Sequence, residues 1–144
     1  MAHEYRYRRR VEFSETDMAG IVHFSNYFRY MEEAEVAFFR SLGLSIHGQR
    51  DGRVIGWPRV AADCTYRWPL RFEDEFEIHL VVCKKTSRTL TYDFRFHDDQ
   101  RRQIAGGSIK TACVDFDPAT GKMQSIPIPE SVAEKIEEAP KGDS

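Results

Sequence analysis

The residue type most able to do chemistry in this chain is a carboxylate standing alone, Asp17, in the stretch "SETDMAGIVHFSNYFRY" at 14–30. A carboxylate can act as a base or a nucleophile when its surroundings tune it. It can equally close a turn or cap a helix. Asp17 lies too far ahead of the expected helix start to be that helix's N-cap, so the turn and the reactive group stay open as readings. Around it, the usual catalytic signatures are absent: the chain has no G-x-S-x-G, H-E-x-x-H, G-x-x-x-x-G-K-[ST] or G-x-G-x-x-G. His3, His23, His47, His79 and His97 are scattered without metal-ligand spacing, so no metal site is expected. Cys64, Cys83 and Cys113 are widely spaced and include no C-x-x-C pair. Reduced thiols of a cytoplasmic protein are the reading that fits.

The elements that must position Asp17 follow from hydrophobic periodicity. From about Tyr5 to Phe13, Tyr5, Tyr7, Val11 and Phe13 alternate with charged residues, which predicts a strand with Arg9 breaking its apolar side. That alternation splits the arginines of "RYRRR" between two faces, which argues against a nucleic-acid stripe. From about Ser25 to Leu42 the period changes. Tyr27, Tyr30, Met31, Ala34, Phe38 and Leu42 form one helical stripe, widened by Phe28, Val36, Ala37 and Phe39. Ser25 or Asn26 is expected to cap the helix start and Gly43 its end. A loop, "SIHGQRDG", leads to four further strands. These run through Val60–Trp68, Phe76–Val82, Leu90–Phe96 and Gln103–Phe116, with "KKTSR" and "HDDQRR" as turns. "PIPESVAEKIEE" predicts a short helix at about 129–138, and the last residues a frayed tail. The whole is α+β, with an antiparallel five- or six-stranded sheet curled around one long apolar helix.

The bulk numbers agree with one soluble domain, 1–144, with its core at about 5–116. The chain has 144 residues, 41% hydrophobic and 31% charged, and a formal charge of −2. No apolar run approaches the ~18–20 residues of a membrane span. Neither membrane nor nucleic acid is an expected partner.

Order and spacing in the opening stretch resemble the hotdog-fold acyl-CoA thioesterases, in the 4-hydroxybenzoyl-CoA thioesterase branch. Val11 and Phe13 match the strand end, Asp17 and Gly20 the Asp-x-x-Gly step, and Ile21, Val22, Phe24, Asn26 and Tyr27 the lead into the central helix. The similarity continues through "VIGWPRVAADCTYRWPLRFEDEFEI". It implies a catalytic Asp17, acting as nucleophile or general base, partly desolvated against the helix. It also implies that backbone amides near His23 and Phe24 hold the thioester carbonyl, with Gly20 making the turn and Tyr27 and Glu33 completing the pocket. Lys84, Lys85 and Arg88 on the basic hairpin would meet the phosphates of coenzyme A, present only as part of the substrate. Assembly as a homodimer at least, and as a tetramer, follows from the same resemblance. Two alternatives remain: hydrolysis of an acyl-carrier-protein thioester, and a non-catalytic acyl-binding protein.

Overall fold

A computed structural model describes residues 1–50 and 52–141. Strand β1 (Glu4–Arg10) runs into a 3-10 turn (Phe13–Glu15), and helix α1 (Asn26–Ser41) follows. Then come β2 (Gly48–Arg50), β3 (Arg53–Gly56), β4 (Arg59–Tyr66), β5 (Glu75–Lys85), β6 (Thr89–Asp98) and β7 (Gln103–Ala112). β8 (Val114–Phe116), β9 (Met123–Ser125) and α2 (Glu130–Ala133) complete the chain. The main sheet has the order β1-β5-β6-β7-β4, every pair antiparallel. A smaller sheet has the order β2-β3-β8-β9. No helix is long and apolar enough to cross a membrane among the described residues.

The expected α+β hotdog architecture is what the chain adopts. Strand alternation puts Phe76, Ile78, Leu80 and Val82 of β5 and Leu90, Tyr92, Phe94 and Phe96 of β6 on one face, all buried. The stripe of α1, namely Tyr27, Tyr30, Met31, Ala34 and Phe38, is buried against that face, and Phe39 with it. Tyr30 meets Phe76 at 5.0 Å between ring centroids, and Phe76 stacks on Phe96 at 6.0 Å. Each such ring contributes roughly 1.5–3 kcal/mol by leaving water.

Several boundaries differ from the expectation, each for a local reason. β1 ends at Arg10, because Val11 turns inward to pair with the β4–β5 connection, donating to the Asp74 carbonyl. Phe13 therefore falls on the 3-10 turn and is exposed. The loop "SIHGQRDG" forms β2 over Gly48–Arg50, while Asp51 lies outside the described residues. The stretch 103–116 is not one strand. It breaks at buried Cys113, where the chain leaves one sheet for the other. The tail is tied rather than frayed as far as Ala139, whose N–H donates to the Val82 carbonyl, while 142–144 lie outside the described residues.

Candidate active site

The turn that carries Asp17 is closed by its own backbone. The Asp17 N–H donates to the Ile21 carbonyl at 2.8 Å, and the Gly20 N–H returns to the Asp17 carbonyl at 2.9 Å. Gly20 sits at φ +82°, a conformation a side chain resists. Asp17 Oδ1 accepts the Ala19 N–H at 2.8 Å, so the residue does serve its turn. That bond leaves Oδ2 without a partner among the described residues, and the side chain is exposed. Here the expectation of a desolvated carboxylate fails for a single chain. The apolar neighbours that would cover it, Met18 and Phe24, themselves stand in solvent at 106% and 62% exposure.

Behind the turn lies a charge cluster that fastens it to β1 and α1. Arg9 points to the helix side of β1 and donates to both oxygens of Glu15, at 2.5 and 2.6 Å, and to Glu33 Oε1 at 2.6 Å. The Tyr30 hydroxyl donates to Glu15 Oε1 at 2.9 Å and the Glu12 N–H at 2.8 Å, while the Arg9 guanidinium lies 4.5 Å from the Tyr30 ring centre. Burial alone would raise the Glu15 carboxyl, but the donors from Arg9, Glu12 and Tyr30 outweigh it and hold it below the ordinary carboxylate value. The other end of Glu15 is equally engaged. Its carbonyl accepts the His23 N–H and Asn26 Nδ2, both at 2.9 Å. Glu33, expected at the pocket, is bound to Arg9 and accepts the Tyr7 hydroxyl at 3.1 Å.

At the start of α1 the free donors are few. The His23 N–H is spent on Glu15, the Asn26 N–H on the His23 carbonyl, and the Ser25 N–H on His23 Nδ1. The Phe24 N–H has no acceptor among the described residues. Neither Ser25 nor Asn26 caps the helix with its side chain, contrary to expectation. Ser25 Oγ instead meets His23 Nδ1 at 2.8 Å, and Asn26 reaches back to Glu15. Tyr27 is a buried core ring, edge-on to Tyr66 at 4.9 Å, and burial pushes its hydroxyl up to about 12. Tyr66 on β4 donates to the Phe24 carbonyl at 3.1 Å, which ties the sheet edge to this corner.

The basic hairpin lies elsewhere. Lys84 is exposed, while Lys85 Nζ donates to the Ala133 and Ile136 carbonyls, both at 2.7 Å. Arg88 donates to the Ser125 carbonyl at 2.9 Å. Asp17 belongs to the sheet end where Arg10 pairs with Glu75 and Val22 with Leu70, whereas the hairpin closes the far end of β5. Ten residues of extended strand separate those ends by about 33 Å. One chain thus gathers Asp17, Gly20, His23, Phe24 and Tyr27 in one corner, and Lys84, Lys85 and Arg88 at the opposite end. Among the described residues, no three His, Cys, Asp or Glu side chains converge as a metal site. Sequence reasoning missed Glu15 and Tyr30, and its one signal was an arginine on the apolar side of β1.

A family model for the thioesterase-like superfamily matches residues 11–136, and the chain belongs to that superfamily. A curated protein of Aquifex aeolicus (strain VF5), which bears a provisional esterase name, is 42% identical over 124 residues, 84% of this chain and 90% of its own. The 1,4-dihydroxy-2-naphthoyl-CoA hydrolase of Trichodesmium erythraeum (strain IMS101) is 31% identical over 112 residues, 76% of this chain and 81% of its own. Among solved structures, a gentisyl-coenzyme A thioesterase is 34% identical with a TM-score of 0.78, covering 90% of this chain and 99% of that one.

Proposed function

We propose that the protein hydrolyses an acyl-CoA thioester, with an aromatic acyl group, to the free acid and coenzyme A. The observation that carries this reading is the corner itself. An exposed carboxylate oxygen stands on a closed turn and a backbone N–H precedes the adjoining helix, neither with a partner among the described residues. Asp17 then acts as nucleophile or as base toward a water. The Phe24 N–H, aided by the helix N-terminus, takes the thioester oxygen as it becomes an oxyanion, a contribution of about 3–4 kcal/mol to the barrier. The aromatic acyl group is supported by the two relatives above 30% identity whose names specify such thioesters.

Two copies of the chain complete the site in this reading. The sheet has β1 and β4 as its edge strands, and at β4 the apolar Val60, Tyr66 and the adjoining Trp68 are 56%, 43% and 47% exposed. Its Arg59 end lies toward the basic hairpin and its Tyr66 end toward Asp17. Antiparallel pairing of two β4 strands about a two-fold axis sets the hairpin end of one copy against the Asp17 end of the other. Lys84 and Arg88 of a second copy would then meet the coenzyme A phosphates, with Lys85 adding charge although its donors are engaged.

The test is a panel of aromatic, short-chain and long-chain acyl-CoAs followed by release of free thiol. Wild type is expected to turn over aromatic members fastest, and Asp17→Asn to lose at least 100-fold, roughly the size of a lost catalytic group, while staying folded. Wild-type rates in a folded Asp17→Asn would leave acyl binding without catalysis as the function. Activity confined to acyl-carrier-protein thioesters would remove coenzyme A from the reading.

A further inference from the structure

We infer that Glu15 is a positioning residue for the reaction, clamping the Asp17 turn and the Phe24 amide into one rigid unit. This rests on the reading of Asp17 and Phe24 given above. Both ends of Glu15 are bonded to the segments that carry the two reactive groups. Its carboxylate takes donors from β1 through Arg9, from α1 through the Tyr30 hydroxyl, and from the Glu12 N–H. Its carbonyl takes the His23 N–H and Asn26 Nδ2. Asp17 follows two residues after Glu15, and Phe24 follows directly after His23. Both reactive groups are therefore short, fixed distances along the chain from atoms that Glu15 holds.

The chemistry of the clamp suits that task. The Arg9 and Glu15 side chains are only 17% and 15% exposed, so their pairing is little screened by solvent. The two-pronged Arg9 contact fixes the carboxylate's plane as well as its position. With the His23 N–H occupied, the next amide, that of Phe24, is the donor without an acceptor among the described residues. Nothing in the clamp reaches the exposed side of Asp17, so a substrate need not touch it. Loosening it should therefore lower kcat, which depends on transition-state geometry, more than it raises KM.

The experiment uses Tyr30→Phe, which takes one donor from the carboxylate, and Asn26→Ala, which takes one from the carbonyl. Rates are read on the fastest acyl-CoA of the panel, with Asp17→Asn alongside. Each clamp variant is expected to stay folded and to lose kcat on the order of 10- to 100-fold, the scale of a small misplacement, with KM within about twofold. The double variant should lose less than the product of the two, because both act through Glu15. Hydrogen exchange supplies a readout independent of rate: the Asp17 and His23 amides should exchange faster in both variants, with β5 and β6 unchanged. Full kcat in both clamp variants beside an inactive Asp17→Asn overturns the positioning role and leaves the thioesterase reading standing. Unchanged exchange at Asp17 and His23 overturns it as well. An active Asp17→Asn, or a wild type that turns over no acyl-CoA, overturns both the reading and this inference, since there is then no reaction for Glu15 to serve.

Discussion

At the scale of single residues, the site divides into groups that face solvent and groups that hold them. Asp17 and Phe24 face outward, and Arg9, Glu15 and Tyr30 sit behind. The holding group leaves a mark on acid stability. Glu15 has its carboxyl lowered in the folded chain from the ordinary 4.5, so folding favours its charged form. A lowered folded value means that the unfolded chain takes up the proton first as pH falls. The stabilisation is thus complete above about pH 4.5 and disappears as pH drops through the lower folded value. Glu15→Gln should be less stable than wild type at pH 7, by about 1.5–3 kcal/mol if the loss is that of hydrogen bonds to a charged group. That deficit should shrink between pH 5 and pH 3, as read by urea denaturation at each pH. A deficit that stays constant with pH would mean the Glu15 charge contributes nothing.

Among the elements, the close approach of α1 to the sheet is set by a glycine in β7. A Cβ at Gly107 would run into the Asp63 carbonyl oxygen of β4 and come within 2.5 Å of Met31 Cε on the helix. The methionine can shift, but the strand backbone cannot without breaking β4 from β7. Gly107→Ala should cost about 1–3 kcal/mol, the range for overfilled cores, and the fall in the denaturation midpoint measures it. The helix stripe that packs there was legible in the sequence, because Tyr27, Tyr30, Met31, Ala34 and Phe38 repeat at a local period. The turn at Asp17 was legible through the resemblance in its spacing to Gly20, which sits in the turn at φ +82°. The break at Cys113 was not, since alternation continues through it and only the pairing partners change, from β4 and β6 to β3 and β9. The partners of Arg9 were equally hidden. Glu15 lies six residues on and Glu33 twenty-four, and no periodicity joins a strand to a turn and a helix.

For the whole molecule, the proposed function makes the sheet edge the place where a second copy would complete the corner. Val60, Ala62, Cys64, Tyr66 and Trp68 alternate through the expected strand, yet β4 is exposed along most of its length in the single chain. Periodicity marks a face meant for burial without saying whether the cover is the chain's own helix or another copy. In the proposed two-copy site, the open edge with exposed Val60, Tyr66 and Trp68 is the surface that would pair with its like. Lysines at Val60 and Ala62, both exposed on β4, would put four like charges on the paired edges, with those at 62 nearest the two-fold axis. Val60→Lys/Ala62→Lys should therefore sediment as a monomer with its own fold intact by circular dichroism. Its Asp17 turn would be unaltered, but it would have no second hairpin beside it. The expected kinetic loss is in kcat/KM, with KM for acyl-CoA raised about tenfold or more, because two phosphate-binding cations are worth at least 1.4 kcal/mol together. Raising the salt concentration should weaken acyl-CoA binding by wild type and have little effect on the monomer's residual binding. A monomer that keeps the wild-type KM would show that each chain reads coenzyme A alone, and the two-copy site would have to be abandoned.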